Sequence, residues 1–165
     1  MNKPAKNSAF IDSQNVNLGF QALGWRLDWR RFRVYLREKY GVEKAFLFIG
    51  YLPENQKLYT SLQQAGFILV FKPVLQLKDR GAKGNVDADL VLKAMTEYGS
   101  YEKAVIVTSD GDFHSLVEYL YQKGKLETVL SPSAAKCSAL LKKTAKERIN
   151  FMETLRGKLE FQAQK

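Results

Sequence analysis

Short apolar runs alternate with longer amphipathic stretches along this chain, and this alternation limits its fold more than any other feature. The runs have the length and the β-branched or aromatic content of buried strands, and the stretches between them have apolar residues at helical spacing. Strands joined through helices pair in parallel with right-handed crossovers, which places helices on both faces of the sheet. We therefore expect an α/β fold with a central, mainly parallel sheet of about five strands, predicted over residues 9–12, 44–51, 67–71, 104–108 and 127–130.

Caps, breakers and periodicity assign the remaining segments. Asp28 has the character of an N-cap for a helix that runs through Tyr40 and ends before Gly41. Further helices are predicted over residues 53–65, 86–98 and 113–122, and loops over residues 13–20 and 73–85. We expect one domain over residues 1–165, with residues 1–8 as a tail and residues 133–165 as a basic helical segment that a short apolar run interrupts at 149–152.

The cysteine and histidine content excludes two kinds of stabilised fold. The chain has one cysteine, Cys137, and one histidine, His114, so it has neither an internal disulfide nor the four ligands of a structural zinc site.

The amino terminus lacks the apolar stretch of a signal peptide, and no run approaches the ~20 apolar residues that span a bilayer. We expect a cytoplasmic protein without a membrane partner.

The positive charge is concentrated in two segments. The formal net charge is +9, and residues 26–39 and 136–165 together carry the whole excess. A segregated basic surface favours a polyanionic partner, because Lys and Arg contacts to phosphates release counterions. A solvated helix face that only aids solubility is the alternative.

Three aspartates follow the predicted strands at the edge where chemistry collects in parallel sheets. Asp12 closes the first strand, and Asp110 and Asp112 follow the AVIVT strand. Each one alone is explained by capping a turn or a helix. Together they repel one another and raise each other's pKa unless a cation lies between them, and Mg²⁺ takes carboxylate oxygens. We expect a divalent cation at this edge.

Helix geometry separates two further aspartates in the segment KGNVDADLVLKAM. Residues two apart point roughly 200° apart on a helix. Asp87 shares a stripe with Val91 and Ala94, which places it at the first turn of the inward face. Asp89 shares a polar stripe with Lys93, where an i,i+4 ion pair is expected. Asp87 is therefore assigned to the site.

Other catalytic and binding patterns find less support. The chain has no G-x-x-x-x-G-K-[ST] or G-x-G-x-x-G phosphate loop, and His114 beside a helix start is better explained as structural than as the base of a hydrolase triad. Trp25, Trp29 and Phe20, near the arginine cluster, are candidates for stacking on nucleic-acid bases, with packing as the alternative.

Three motifs carry a family resemblance that covers residues 9–130. They are FIDSQN, KGNVDADLVL and VTSDGDFHSLV, in this order and in matching strand context. The sequence resembles the NYN-domain family of PIN-like metal-dependent ribonucleases, and within it the LabA-like branch. The resemblance implies a three-layer α/β/α, Rossmann-like fold whose acidic pocket binds Mg²⁺ or Mn²⁺ for hydrolysis of RNA phosphodiester bonds.

The resemblance also implies roles for individual residues. The acids of the pocket correspond to Asp12, Asp87, Asp110 and Asp112. Asn15 corresponds to the polar partner of the first acid, and Lys83 and Ser109 to groups that contact phosphate or orient the acids. Lys93 stands where relatives often carry a further Asp, which puts a second metal ion in doubt.

The leading hypothesis is a metal-dependent ribonuclease. Asp12, Asp110 and Asp112 would hold the ion, and Asp87 would hold a second ion or orient water. Arg30 and Arg33, on the basic helix that follows Asp28, are candidate RNA contacts, with unpaired strands or loops as the expected substrate.

Three questions stay open at this point. A non-catalytic RNA-binding or regulatory module that keeps the acidic pocket is the main alternative. A phosphoacceptor domain with Asp12 as the phosphorylated residue is another, although Gln14 stands where one such class has a second Asp. The sequence is also compatible with a homodimer.

Overall fold

A six-stranded, entirely parallel sheet forms the centre of the computed structural model, which describes residues 5–73 and 86–163. The strand order is β3-β2-β1-β4-β5-β6. The strands are β1 (Asn7–Asp12), β2 (Val42–Tyr51), β3 (Phe67–Pro73), β4 (Ala104–Val107), β5 (Leu126–Ser131) and β6 (Ile149–Phe151). The helices are α1 (Ser13–Leu23), α2 (Trp29–Tyr40), α3 (Gln56–Ala65), α4 (Val86–Thr96), α5 (His114–Gln122), α6 (Ala139–Ala145) and α7 (Arg156–Leu159).

Two apolar cores lie on the two faces of the sheet, which confirms the expected α/β architecture with helices on both sides. Successive strand residues point to opposite faces, so Ile11 and Phe10 enter different cores. The core that contains Ile11 is covered by helices α1, α2, α3 and α7, and the core that contains Phe10 by α4, α5 and α6. Because both faces are buried, the central strands are apolar runs without polar alternation.

The segment that follows β1 is a helix, so the predicted loop over residues 13–20 is wrong. Asp12 caps α1 by accepting a hydrogen bond from the Asn15 N–H at 3.4 Å, and Val16 and Phe20 are buried one turn apart. Gly19, one of the residues of the predicted loop, lies inside the helix against Pro132. A Cβ added at Gly19 would be 2.5 Å from the Pro132 Cγ. The glycine permits close packing of α1.

The carboxyl-terminal segment contains a strand that the sequence did not predict. Residues 149–152 were expected to interrupt a helical segment, whereas Ile149–Phe151 form β6 and pair in parallel with β5. Three residues are too short to show strand periodicity, and the strand depends on its neighbour: the Asn150 side chain donates a hydrogen bond to Thr128 Oγ1 at 3.0 Å. The sheet therefore has six strands and not about five.

The start of β1 also differs from the prediction, because the strand begins at Asn7, inside the expected tail. The Asn7 side chain donates to the carbonyl of Tyr40 at 2.7 Å and accepts from the N–H of Lys103 at 3.0 Å. The predicted caps of α2 are confirmed: Asp28 accepts from the Arg31 N–H at 3.1 Å, and Gly41 has φ +64°.

Among the described residues, no helix has the length and apolarity to cross a membrane.

The strand order places the carboxyl ends of β1 and β4 side by side at the point where the order of connections reverses. From β1 the chain proceeds to β2 and β3 on one side, and β4, β5 and β6 lie on the other. Connections leave this point toward opposite faces, which opens a crevice beyond the strand ends. Asp12 ends β1, and Asp110 and Asp112 follow β4, so these acids lie at this crevice.

Candidate functional site

Three carboxylates meet at the crevice from two separate parts of the chain. Asp87 lies in the first turn of α4, and Asp110 and Asp112 lie in the turn that leads from β4 to α5. Each offers one carboxylate oxygen, and these three oxygens lie within 4.8 Å of one another. The turn is held by its own hydrogen bonds: the Asp110 N–H donates to Thr108 Oγ1 at 3.1 Å, and the Asp112 N–H donates to Asp110 Oδ1 at 2.9 Å.

Asp12 lies beside this cluster and is more deeply buried, with 5 % of its surface exposed. Burial, followed by the charges of Asp87 and Asp110, raises the pKa of the Asp12 carboxyl to about 6. Hydrogen bonds from the Asn15 N–H and the Thr108 hydroxyl oppose this shift. Asp12 does not contribute an oxygen to the group of three within 4.8 Å, although the charges of Asp87 and Asp110 act on its carboxyl.

The charge of the cluster also affects Asp87. Burial and the charges of Asp110 and Asp112 raise the pKa of the Asp87 carboxyl, and the Lys72 ammonium opposes them. The raised pKa means that these surroundings disfavour the ionised form of the Asp87 carboxyl. A cation among these carboxylates would relieve the repulsion.

The donor set fits a hard divalent cation. All three groups are carboxylate oxygens, which Mg²⁺ and Mn²⁺ prefer. An ion at about 2.1 Å from two oxygens holds them roughly 3 to 4 Å apart. Small side-chain rotations therefore allow carboxylates within 4.8 Å to share one ion. The donor chemistry suits both metals equally.

Asn15 and Ser109 connect the strand ends that carry the acids. The Asn15 Oδ1 accepts a hydrogen bond of 2.8 Å from the Ser109 N–H, which joins α1 to the end of β4. The Ser109 hydroxyl lies 2.6 Å from the hydroxyl of Ser131, at the end of β5. Both residues lie at the site, where their observed contacts orient the acidic turn.

The two arginines predicted to contact RNA lie in different environments. Arg33 is 7 % exposed. Its guanidinium donates to the carbonyls of Gly66, Val42 and Glu43, at the amino edge of the sheet. Since this edge is opposite the acids, Arg33 has a structural role in the fold. Arg30 is exposed on α2. Lys83 lies outside the described residues.

Lys93 lies apart from the acids. Its ammonium pairs with Glu97 at 3.3 Å and lies 5.2 Å from the ring centroid of Phe46. Six residues separate it from Asp87, which is about 9 Å along the helix axis. The expected ion pair with Asp89 is absent, because Asp89 pairs with Lys72 of β3 at 3.8 Å.

Sequence reasoning missed two residues that hold the acidic turn. Thr108 accepts a hydrogen bond from the Asp110 N–H, and its hydroxyl opposes the rise in the pKa of Asp12; its position two residues before Asp110 was the available signal. Ser138 donates its backbone N–H to the Ser109 carbonyl at 3.1 Å, and its Oγ would be 2.4 Å from a Cβ added at Gly111. The glycine between the two acids hinted at such a close approach.

Comparisons with known proteins agree with this architecture. The family model of the NYN domain matches residues 7–152. The low amplitude and bright protein LabA of Synechococcus elongatus is 26% identical over 139 residues, which cover 78% of this chain and 75% of that protein. A crystal structure of a protein of unknown function from Vibrio parahaemolyticus aligns with a TM-score of 0.75 and 26% identity, over 88% of this chain and 93% of the other.

Proposed function

This chain belongs to the NYN domain family, a PIN-like nuclease family, and on this premise we propose that it is a divalent-metal-dependent ribonuclease that hydrolyses RNA phosphodiester bonds at the aspartate cluster. Asp87, Asp110 and Asp112 are the proposed metal-holding and catalytic acids, with Asp12 as the fourth acid of the site.

One observation carries this proposal: three carboxylates from α4 and the β4–α5 turn converge at the open end of the sheet. Within residues 5–73 and 86–163, no lysine or arginine nitrogen lies within 4.0 Å of these three carboxylates. A fold that needed the three only as caps would have no reason to place them together, because their mutual repulsion costs stability. The cluster is better explained by a cation that offsets this cost.

The residues of the site have separate proposed tasks. The acids would hold a divalent cation, which when bound would supply Lewis acidity to stabilise negative charge on the phosphoryl group and to lower the pKa of water. Asp12 caps α1 and so holds Asn15, which in turn holds the Ser109 N–H and the acidic turn after it. This chain of contacts supports a positioning role for Asp12 and Asn15 in addition to the charge of Asp12.

The phosphates of the proposed substrate are negative, and so is the crevice. The cations that neutralise those phosphates therefore have to lie outside the crevice. Exposed cations such as Arg30 on α2 and Lys143 on α6 are suited to hold the phosphates. Unpaired RNA is the proposed substrate, because a single strand can bend into a crevice that a duplex cannot enter. The membership of the chain in the NYN domain family supports RNA as the substrate class.

Incubation of labelled single-stranded and stem-loop RNAs with Mn²⁺, Mg²⁺ or EDTA tests this function. We expect cleavage with a metal and none in EDTA. Asp87→Asn should lower the rate by about 100-fold or more, since metal-assisted charge stabilisation is worth several kcal/mol. Asp89→Asn is the matched control, because it makes the same change two residues away, at a carboxylate that pairs with Lys72 and lies outside the cluster. Its rate should equal that of the wild type.

Three results contradict the proposal. Cleavage that persists in EDTA, or equal cleavage by Asp87→Asn and wild type, removes the aspartate cluster from the reaction. RNA that is bound but never cut with either metal identifies the protein as a non-catalytic RNA-binding module.

A further inference from the structure

Two adjoining cavities of about 610 and 540 Å³ open between α1, the start of α2, and α3. They share Arg26, Leu27, Trp29 and Leu58, so they form one continuous depression, here named the α1–α3 groove. None of the four aspartates of the proposed active site lines it. The groove is therefore a separate surface feature.

Aromatic side chains in fixed orientations line the groove. Trp25 packs against Phe20 with ring centroids 4.6 Å apart, and Trp29 packs edge-on against Phe32 and Phe67 at 5.9 and 5.7 Å. Trp25 is 8 % exposed and Trp29 is half-buried, so Trp29 presents the larger free surface to the groove. An indole that is already immobilised loses little entropy when a base stacks on it, which favours stacking.

The charge of the groove is complementary to a polyanion. Arg26 lies 4.5 Å from the ring centroid of Phe161, and Arg30 lines the second cavity. In the part of the chain that the structure describes, neither arginine is within 4.0 Å of a carboxylate. Among the described residues, the one acid that lines the groove is Asp28. It caps α2 and pairs with Arg31 at 3.8 Å, so its charge is already engaged.

The groove and the acids lie on different sides of α1. Asn17 lines the first cavity and lies two residues after Asn15, about 3 Å further along the helix axis and roughly 200° around it. Asn15 in turn holds the Ser109 N–H directly before Asp110. A strand whose scissile phosphate lies at the acids therefore has to pass over α1 to enter the groove.

We propose that the α1–α3 groove binds unpaired RNA nucleotides flanking the cleavage site, with a base stacked on Trp29 and phosphates held by Arg26 and Arg30. This inference rests on the proposed function for the identity of the ligand. It adds that the substrate is an extended single strand, because stacking on Trp29 requires a base that is not paired.

Intrinsic fluorescence tests the inference directly, because the two tryptophans of the chain both line the groove. The probe is an oligouridylate of about 12 nucleotides, titrated in EDTA so that nothing is cleaved. We expect it to quench tryptophan emission by roughly 20 % or more, as stacked bases do. Fluorescence polarisation of a labelled copy of the same oligomer measures binding independently.

Charge variants locate the phosphate contacts. The double variant Arg26→Ala/Arg30→Ala should raise the Kd about 10-fold and reduce the slope of log Kd against log salt by about 1.4, the value for two phosphate contacts on a single strand. The control Lys6→Ala/Lys123→Ala removes two exposed cations elsewhere and should stay within about 2-fold of wild type, as distant charges are screened.

Several results overturn the inference. The first is binding seen by polarisation with unchanged tryptophan emission, and the second is an equal loss of affinity in both double variants. The third is equal quenching by polyglutamate, which would identify an acidic peptide as the ligand. The two proposals fail separately: quenching without cleavage removes only the nuclease, and cleavage with an unchanged KM in Arg26→Ala/Arg30→Ala removes only the groove.

Discussion

The side-chain oxygen of Asn15 accepts a hydrogen bond of 2.8 Å from the backbone N–H of Ser109, although 94 residues separate them in sequence. This contact joins the first turn of α1 to the turn that carries Asp110. The acids from β1 and from the β4 end are therefore held in one arrangement before any ligand binds.

Loss of this contact should destabilise the protein. Asn15→Ala leaves a part-buried N–H without its partner, which costs about 1–3 kcal/mol. Urea unfolding in EDTA measures the change. The control Asn17→Ala, at an exposed position two residues further along α1, should have a free energy of unfolding within about 0.5 kcal/mol of wild type. Equal stability of the two variants would show that the Asn15 contact contributes nothing to folding.

Asp12→Asn should stabilise the metal-free protein above pH 6. The pKa of Asp12 is raised from 3.8 to about 6, so the folded state binds this proton more tightly than the unfolded state does. Wild-type stability from this group therefore falls as the pH rises from about 4 through 6 and stays low above it, by at most about 3 kcal/mol. Asparagine keeps the N-cap of α1 and carries no charge.

The measurement is the free energy of unfolding in EDTA between pH 4.5 and 8, compared between wild type and Asp12→Asn. The difference should grow through the pKa of about 6. Asp28→Asn makes the same change at the N-cap of α2 and is the matched control for the substitution itself. Parallel profiles for wild type and Asp12→Asn would mean that burial and the neighbouring charges do not raise the pKa of Asp12.

Metal binding should raise the melting temperature. An ion at about 100 times its Kd stabilises the folded state by about 2.7 kcal/mol, which is roughly 5–10 °C for a domain of this size. Asp87→Asn should abolish most of the shift by Mg²⁺ or Mn²⁺, and Asp89→Asn should retain it, because Asp89 is outside the cluster. A full shift in Asp87→Asn would place the ion elsewhere.

Variants of Arg30 and Arg33, both on α2, should separate stability from RNA binding. Arg33→Ala removes three hydrogen bonds to carbonyls at the amino edge of the sheet and should cost about 3 kcal/mol or more in urea unfolding. Arg30→Ala, at an exposed position, should change stability by less than about 0.5 kcal/mol and weaken RNA binding. The reverse pattern in unfolding would contradict these assignments.

Local pattern was sufficient for most of the fold. The central strands are apolar runs because both faces of the sheet are buried, and Asp28 and Gly41 mark the ends of α2 by their caps. The failures are α1 and β6, and both depend on distant partners. Gly19 is inside a helix because Pro132 packs against it, and Ile149–Phe151 form a strand because β5 offers an edge.

By itself, the sequence determined that strands and helices alternate and that aspartates follow β1 and β4, since spacing, caps and strand ends are local properties of the chain. Only the tertiary structure decided which groups meet. Asp87 joins Asp110 and Asp112 because α4 packs against β1, β2 and the turn that follows β4. Asp12 is buried beside them, and Arg33 lies at the opposite edge. Distances between residues far apart in sequence follow from packing and strand order, which no local pattern specifies.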